Sequence, residues 1–241
     1  MRIAILHITL FLVITMSSAG VLLAGPFHHK SDSLLQQIEQ SQPPEQISLY
    51  QEMAHQCLEK DPDKSLQYSQ KAHEIALRLD RTEQQAGSLL MMGRACFALD
   101  QYEEAATHLS EASTLFKKRN DKKHLEEVFF QMGEAYHKLG LYAKSDSSYR
   151  EALSMSQKMN NRQQAGLIYN KLGLNQKRNN AYGRANTYHR KALEIFEKEQ
   201  AKEGKANTLN YLGSIHWQQG RYDSAQYYYH QSLELKKQIH D

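Results

Sequence analysis

The chain is poor in residues that punctuate structure: 12 glycines and 4 prolines in 241 positions, with 2 cysteines and a single tryptophan. So little turn chemistry leaves an all-β fold without the reversals it needs, and it excludes a collagen-like or low-complexity chain. An excess of one charge sign is also missing. The 30 Lys+Arg and 27 Asp+Glu are interspersed and sum to +3, which is not the electrostatic footprint of a nucleic-acid binder. A mean hydropathy of −0.71 excludes a polytopic membrane protein. What remains is a mostly α chain of long helices.

One apolar run stands apart. From Ile3 to Met16 the chain is nearly devoid of polarity, and Ser17-Ser18-Ala19-Gly20 follows. This is the architecture of an export signal, with cleavage expected before Val21, or after Ala19 or Ala24. The alternative is an uncleaved anchor, since Val21 to Ala24 extend the run to about 22 residues, enough to span a bilayer. Either way residues 26–241 are expected in the periplasm or otherwise outside the cytoplasm.

The rest repeats. Gly93, Gly133, Gly173 and Gly213 are each 40 residues apart, and Tyr102, Tyr142, Tyr182 and Tyr222 follow them by nine. Ala105, Ser145, Ala185 and Ala225 come next, then Ala112, Ala152, Ala192 and Ser232. A weaker first unit has Met53 for the glycine and Pro62 for the tyrosine. The apolar spacing of three and four in Leu209, Leu212, Gly213 and Ile215 predicts a first helix, and Ala185 with Ala192 marks a second. The glycine is expected to let the second helix approach, with the alanines as its matching surface and the tyrosine in the corner. Turns are expected at Gly140-Leu141, Asn179-Asn180 and Gly220-Arg221 within pairs, and at Asn120-Asp121, Asn160-Asn161 and Ala201-Lys202 between them. Asp61-Pro62 reads as an N-cap followed by a proline at the first helical position.

These residues resemble the tetratricopeptide repeat, most closely in Phe129-Phe130-Gln131-Met132-Gly133-Glu134-Ala135-Tyr136 and Tyr149-Arg150-Glu151-Ala152. The resemblance implies an all-α, right-handed superhelical solenoid of about five antiparallel helix pairs. The segments expected are 1–25 for export or anchoring, 26–45 for a leader with a short helix near Ser31 to Gln40, then units at 46–85, 86–125, 126–165, 166–205 and 206–241. The 40-residue period, against the commoner 34, and the Asp61-Pro62 start are similar to extracytoplasmic sensor regions of some bacterial histidine kinases and regulators.

Signatures of chemistry are missing, and no enzyme, cofactor or metal is expected. His73-Glu74 begins a zinc-protease-like string, but Leu77 stands where the second histidine belongs. No Cys-x-x-Cys, phosphate-binding glycine loop or Gly-x-Ser-x-Gly is present. His28-His29 is at most a weak metal site. Cys57 and Cys96 fall at near-equivalent places in adjacent units, too far apart for a disulfide, so two separate buried thiols are expected.

In a solenoid the inner wall is the default binding surface. Counting three back from each glycine gives Tyr50, Leu90, Phe130, Asn170 and Asn210; counting four forward gives Cys57, Phe97, His137, Lys177 and Trp217. The groove candidates are Leu90, Arg94, Phe130, His137, Asn170, Lys177, Asn210 and Trp217, with Arg178 adding charge. Asn170 and Asn210 form a potential ladder for the backbone of an extended peptide, as similar asparagines do in peptide-binding relatives of the family. The carboxylate clamp of chaperone-binding members is not matched by Tyr50, Gln51, Ala54, Met91, Glu127 and Gln131. The expected partner is a protein or extended peptide, not nucleic acid, with membrane contact only through an uncleaved N-terminus. The fifth unit is expected to be open at Tyr227, Tyr228, Tyr229, Leu233, Leu235 and Ile239, for self-association, for a partner, or because the chain is the front part of a longer sensor.

Overall fold

The computed structural model describes residues 26–240, so the segment expected at 1–25 lies outside the described residues, as do the side chains of His28 and His29. Among the described residues there are eleven α-helices and no strand: α1 (Pro26–Gln40), α2 (Pro43–Cys57), α3 (Pro62–Arg78), α4 (Thr82–Ala98), α5 (Tyr102–Lys118), α6 (Lys122–Lys138), α7 (Tyr142–Lys158), α8 (Arg162–Arg178), α9 (Tyr182–Lys198), α10 (Lys202–Gln218) and α11 (Tyr222–His240). None of these helices is long and apolar enough to cross a membrane.

The 40-residue repeat is twice a shorter one. Each helix from α3 to α10 has 17 residues and is followed by a three-residue turn. The middle turn residue is left-handed at every twentieth position: Asp80, Asp100, Asn120, Gly140, Asn160, Asn180, Gln200 and Gly220, with φ between 51° and 73°. The next N–H then reaches the carbonyl five residues back, as in Arg81 to Ala76 (2.8 Å) and Asn161 to Ser156 (2.8 Å). This closure satisfies helix-end carbonyls, and it selects Gly, Asn and Asp because their strain in that conformation is least. Helix starts are capped where an Asx side chain allows it. Asp61 accepts from the Lys64 N–H ahead of Pro62, and Asp121 and Asn161 do the same for His124 and Gln164.

Within a pair, the repeated glycine does let the second helix approach, and it does so by making room for one large side chain. A Cβ on Gly93, Gly133, Gly173 or Gly213 would strike the side chain 16 residues later: Leu109, Tyr149, His189 or Tyr229, at 2.5–2.8 Å. The glycine is a socket for one large side chain of the partner helix. The alanine series is fully buried beside it, and Ser145 adds a 2.7 Å hydrogen bond to the Gly133 carbonyl. The tyrosines do close the corner: Tyr102 packs on Phe97, Tyr142 on His137 and Tyr222 on Trp217, with ring centroids 5.0–5.6 Å apart.

Pairs are joined by the second helix of one and the first of the next. Phe196 of α9 is wedged between Gly166 of α8 and Gly204 of α10, where any Cβ would lie within 2.8 Å of its ring. Met53 is buried in the glycine's place in the first unit and packs with Leu34 and Ile38 of α1. The leader helix is longer than the stretch expected from sequence and covers the apolar start of the stack. First helices also touch one another, α2 with α4, α4 with α6 and α8 with α10, whereas second helices make no comparable contact. The stack therefore curves with its first helices on the inside.

Candidate protein-interaction surface

The inner wall is built from the first helices, and one question decides what it can do: which of its polar groups are still free. Most are not. Across the wall, side chains bond to partners 33–38 residues ahead, one unit further on. Arg94 pairs with Glu127. Lys171 pairs with Glu134 at 2.7 Å, and Glu134 also accepts from the buried Tyr149 hydroxyl. Gln51 donates to Ser88 at 3.0 Å, and Lys177 to Ser214.

Two of these contacts extend into buried chains. His137 Nδ1 lies 2.5 Å from Asn175 Oδ1, and Asn175 Nδ2 donates to Ser145 (2.8 Å) and Asp146 (2.7 Å). Asn170 Nδ2 donates to the Thr208 hydroxyl at 2.8 Å, which donates to the Gly204 carbonyl at 2.7 Å. That leaves Asn170 Oδ1 to accept from His189 Nδ1 at 2.8 Å, which fixes the histidine tautomer. Burial holds His189 neutral, pushing its pKa down to about 3, with the Lys177 charge acting in the same direction.

The proposed rows three before and four after each glycine are therefore mostly a seam between first helices. Leu90 and Asn170 are buried, at 5% and 4% exposure. Phe130 is half-buried against the core, tilted on Tyr149 with Lys171 over its ring. His137 and Arg94 are committed as described, and burial lowers the Arg94 pKa. Lys177 is half-buried, and Asn210 is exposed. Trp217 is 58% exposed, packed edge-on against Tyr222. Asn170 and Asn210 thus do not make a ladder. They are equivalent positions, but α10 covers the first, and no described helix covers the second.

A further face lies one step round the same helices; on α4 and α6 it carries the paired Arg94, Glu127 and Glu134, and on α8 and α10 it is less committed, with Ser214 accepting from Lys177. Residues six before, one after and five after the glycine line it: Leu167, Leu174 and Arg178 on α8, and Asn207, Ser214 and Gln218 on α10. Leu167 is 43% exposed, a large apolar side chain facing solvent. Neither Arg178 nor Asn207 has a side-chain partner among the described residues. Arg178 was legible in the sequence as wall charge. Leu167 was missed because the count began three residues from the glycine instead of six.

Cys57 and Cys96 are free and buried, and burial raises both thiol pKa values. No three His, Cys, Asp or Glu side chains are grouped as a metal site needs, among the described residues. On α11, Tyr227 (60%), Leu233 (52%) and Ile239 (38%) are exposed. A 460 Å³ cleft there is lined by Trp217, Tyr222, Gln226, Tyr229, His230 and Leu233.

Comparison with known proteins agrees with this architecture. Tetratricopeptide-repeat family models match residues 126–159 and 187–238. No curated protein matches the sequence. The fold is similar to the crystal structure of BtubC (BKLC) from P. vanneervenii, with TM-score 0.70 and 17% identity over 81% of this chain and 80% of that one. It is similar to MamA from Desulfovibrio magneticus RS-1, at TM-score 0.62 and 18% identity over 80% of this chain and 96% of that one. A signal transduction ATPase with numerous domains from Pyrococcus horikoshii, which has a tetratricopeptide repeat sensor, gives 0.71 and 19% over 80% of this chain and 30% of that one. With these matches, residues 126–159 and 187–238 are tetratricopeptide repeats and the described chain has the all-α fold of a tetratricopeptide-repeat solenoid, a repeat that indicates a protein–protein interaction scaffold.

Proposed function

We propose that this chain is a non-enzymatic, extracytoplasmic scaffold that holds a protein or extended peptide segment against its inner wall. The observation that carries the reading is the contrast along that wall. Toward the N-terminal end its polar side chains are bonded to one another, Arg94 to Glu127 and Glu134 to Lys171, while on the adjacent, directly touching α8 and α10 Leu167 and Arg178 are exposed and Leu174 and Asn207 are half-buried. An apolar side chain beside unpaired amide and guanidinium donors is the composition of a recognition surface. The extracytoplasmic placement rests on the sequence of residues 1–25, and N-terminal sequencing of the exported chain distinguishes cleavage before Val21 from a retained anchor.

The test is capture of partners from an extracytoplasmic extract by the full chain, with Leu167→Glu plus Leu174→Glu on the wall and Lys118→Glu on α5 as an outer-surface control. Capture abolished by the wall variant alone supports the reading. Capture that survives the wall variant removes it.

A second reading is the sensory input region of a signalling protein, supported by the likeness to the tetratricopeptide repeat sensor of the P. horikoshii ATPase. It uses the same wall, so binding does not separate the two. Genomic sequence past residue 241 does: an in-frame membrane helix with a kinase or DNA-binding segment favours the sensor. The exposed apolar side of α11 is the surface through which we expect any self-association, measurable by analytical ultracentrifugation.

A further inference from the structure

The cations of the inner wall are unevenly supplied with anions. The two carboxylates that α6 presents on that wall each have a cation one unit away, Glu127 with Arg94 and Glu134 with Lys171. α8 carries Arg162, Lys171, Lys177 and Arg178 and no acid. Arg162 pairs with Glu199 at 3.4 Å, and Lys171 with Glu134, which leaves Lys177 and Arg178. Lys177 bonds only the neutral Ser214 hydroxyl, and its pKa is lowered by burial and by the adjacent Arg178, with no carboxylate near enough to raise it. The helix that follows begins Tyr182-Gly183-Arg184, cationic again, and Asp146 of α7 is occupied by Asn175 and Gln176.

The wall also changes along its length. α2 has Glu45 and Glu52 and no Lys or Arg, α4 and α6 are balanced, and α8 is the acid-free helix. We propose, building on the scaffold reading above, that the α8–α10 wall binds an acidic, extended peptide segment. Its carboxylates meet Lys177 and Arg178, an aliphatic side chain rests on Leu167 and Leu174, and Asn207 pairs with its backbone. Complementary charge sets which partner is accepted and speeds encounter. The leucines point to a peptide in preference to a polyanion, because a phosphate backbone offers nothing to bury there.

The test pans the full-length protein against a displayed library of random 12-residue peptides and measures the enriched peptides by anisotropy. Trp217, the only tryptophan, lies one turn beyond Ser214 and reports occupancy by its fluorescence. Enriched peptides are expected to be net acidic, and Arg178→Glu with Lys177→Gln should weaken them by at least about tenfold, as should a rise in salt. Lys118→Glu on α5 should leave them unchanged. Neutral or basic peptides that bind the wall overturn the acidic specificity and leave the scaffold reading standing. Tighter binding of a single-stranded oligonucleotide than of acidic peptides also overturns it. No enrichment of any peptide removes the scaffold reading as well. Circular dichroism of each variant excludes loss of folding as the cause.

Discussion

Asn170 accepts from the ring of His189 at 2.8 Å while donating to Thr208, so one amide ties three helices of two units together. Its partner pays in pH range. His189 Nε2 is buried with no partner against the Gly173 backbone, and the ring is held neutral. The folded pKa is depressed to about 3, from 6.5 in the unfolded chain. Between those values the unfolded chain binds a proton that the native one does not. Stability is therefore full above pH 6.5 and falls on acidification, by up to about 1.4 kcal/mol per pH unit, until it levels near pH 3. Urea midpoints from pH 7 to pH 4 should show this slope, and His189→Leu, which places there the residue found at Leu109, should flatten it.

Glycine sockets give the same substitution opposite signs at two places. Gly133→Ala sets a Cβ 2.5 Å from the Tyr149 ring and should cost about 1–3 kcal/mol. Gly183→Ala, with nothing within 4 Å on the exposed face of α9, should stabilise by about 0.4–1 kcal/mol. Thermal unfolding of the two variants checks both signs at once, and Gly173→Leu, pressed into His189, should lose more than Gly133→Ala.

Among the described residues, the turn before α10 holds the one left-handed residue that is not Gly, Asn or Asp: Gln200, at φ 54°. Gln200→Gly should raise stability by about 1 kcal/mol by relieving that conformation. The same change at Asn160 should give much less.

Cys57 and Cys96 should both react with a thiol reagent in denaturant and neither at a comparable rate in the folded protein, because burial disfavours the thiolate. Mass spectrometry without reductant should find no mass loss for a disulfide.

The fold was legible because a solenoid writes its packing into a period. The glycines, tyrosines and alanines each mark a contact made several times over, and even the turn residues recur every 20 positions. What the glycine faces was not legible, since Leu109, Tyr149, His189 and Tyr229 share a position but no one residue type. The wall was legible only in part. Counting from the glycine finds the right helices, but a shift of three residues separates the seam from the face beside it. Nothing in Asn170 alone says that Thr208, 38 residues later, will cover it. The polar seam was invisible for the same reason: its bonds join residues that no local motif links.

The polar seam couples the units, and the face of α8 and α10 beside it is left for a partner. Asn170 and Asn210 test it, being the same position in successive units, one bonded and buried, the other exposed. The measurement is the urea unfolding free energy of Asn170→Ala beside that of Asn210→Ala. We expect a loss of about 2 kcal/mol for the first, which orphans the His189 donor and the Thr208 contact, and under about 0.5 kcal/mol for the second. Equal, small losses at both positions would contradict the account and restore the two asparagines as a pair of exposed binding residues.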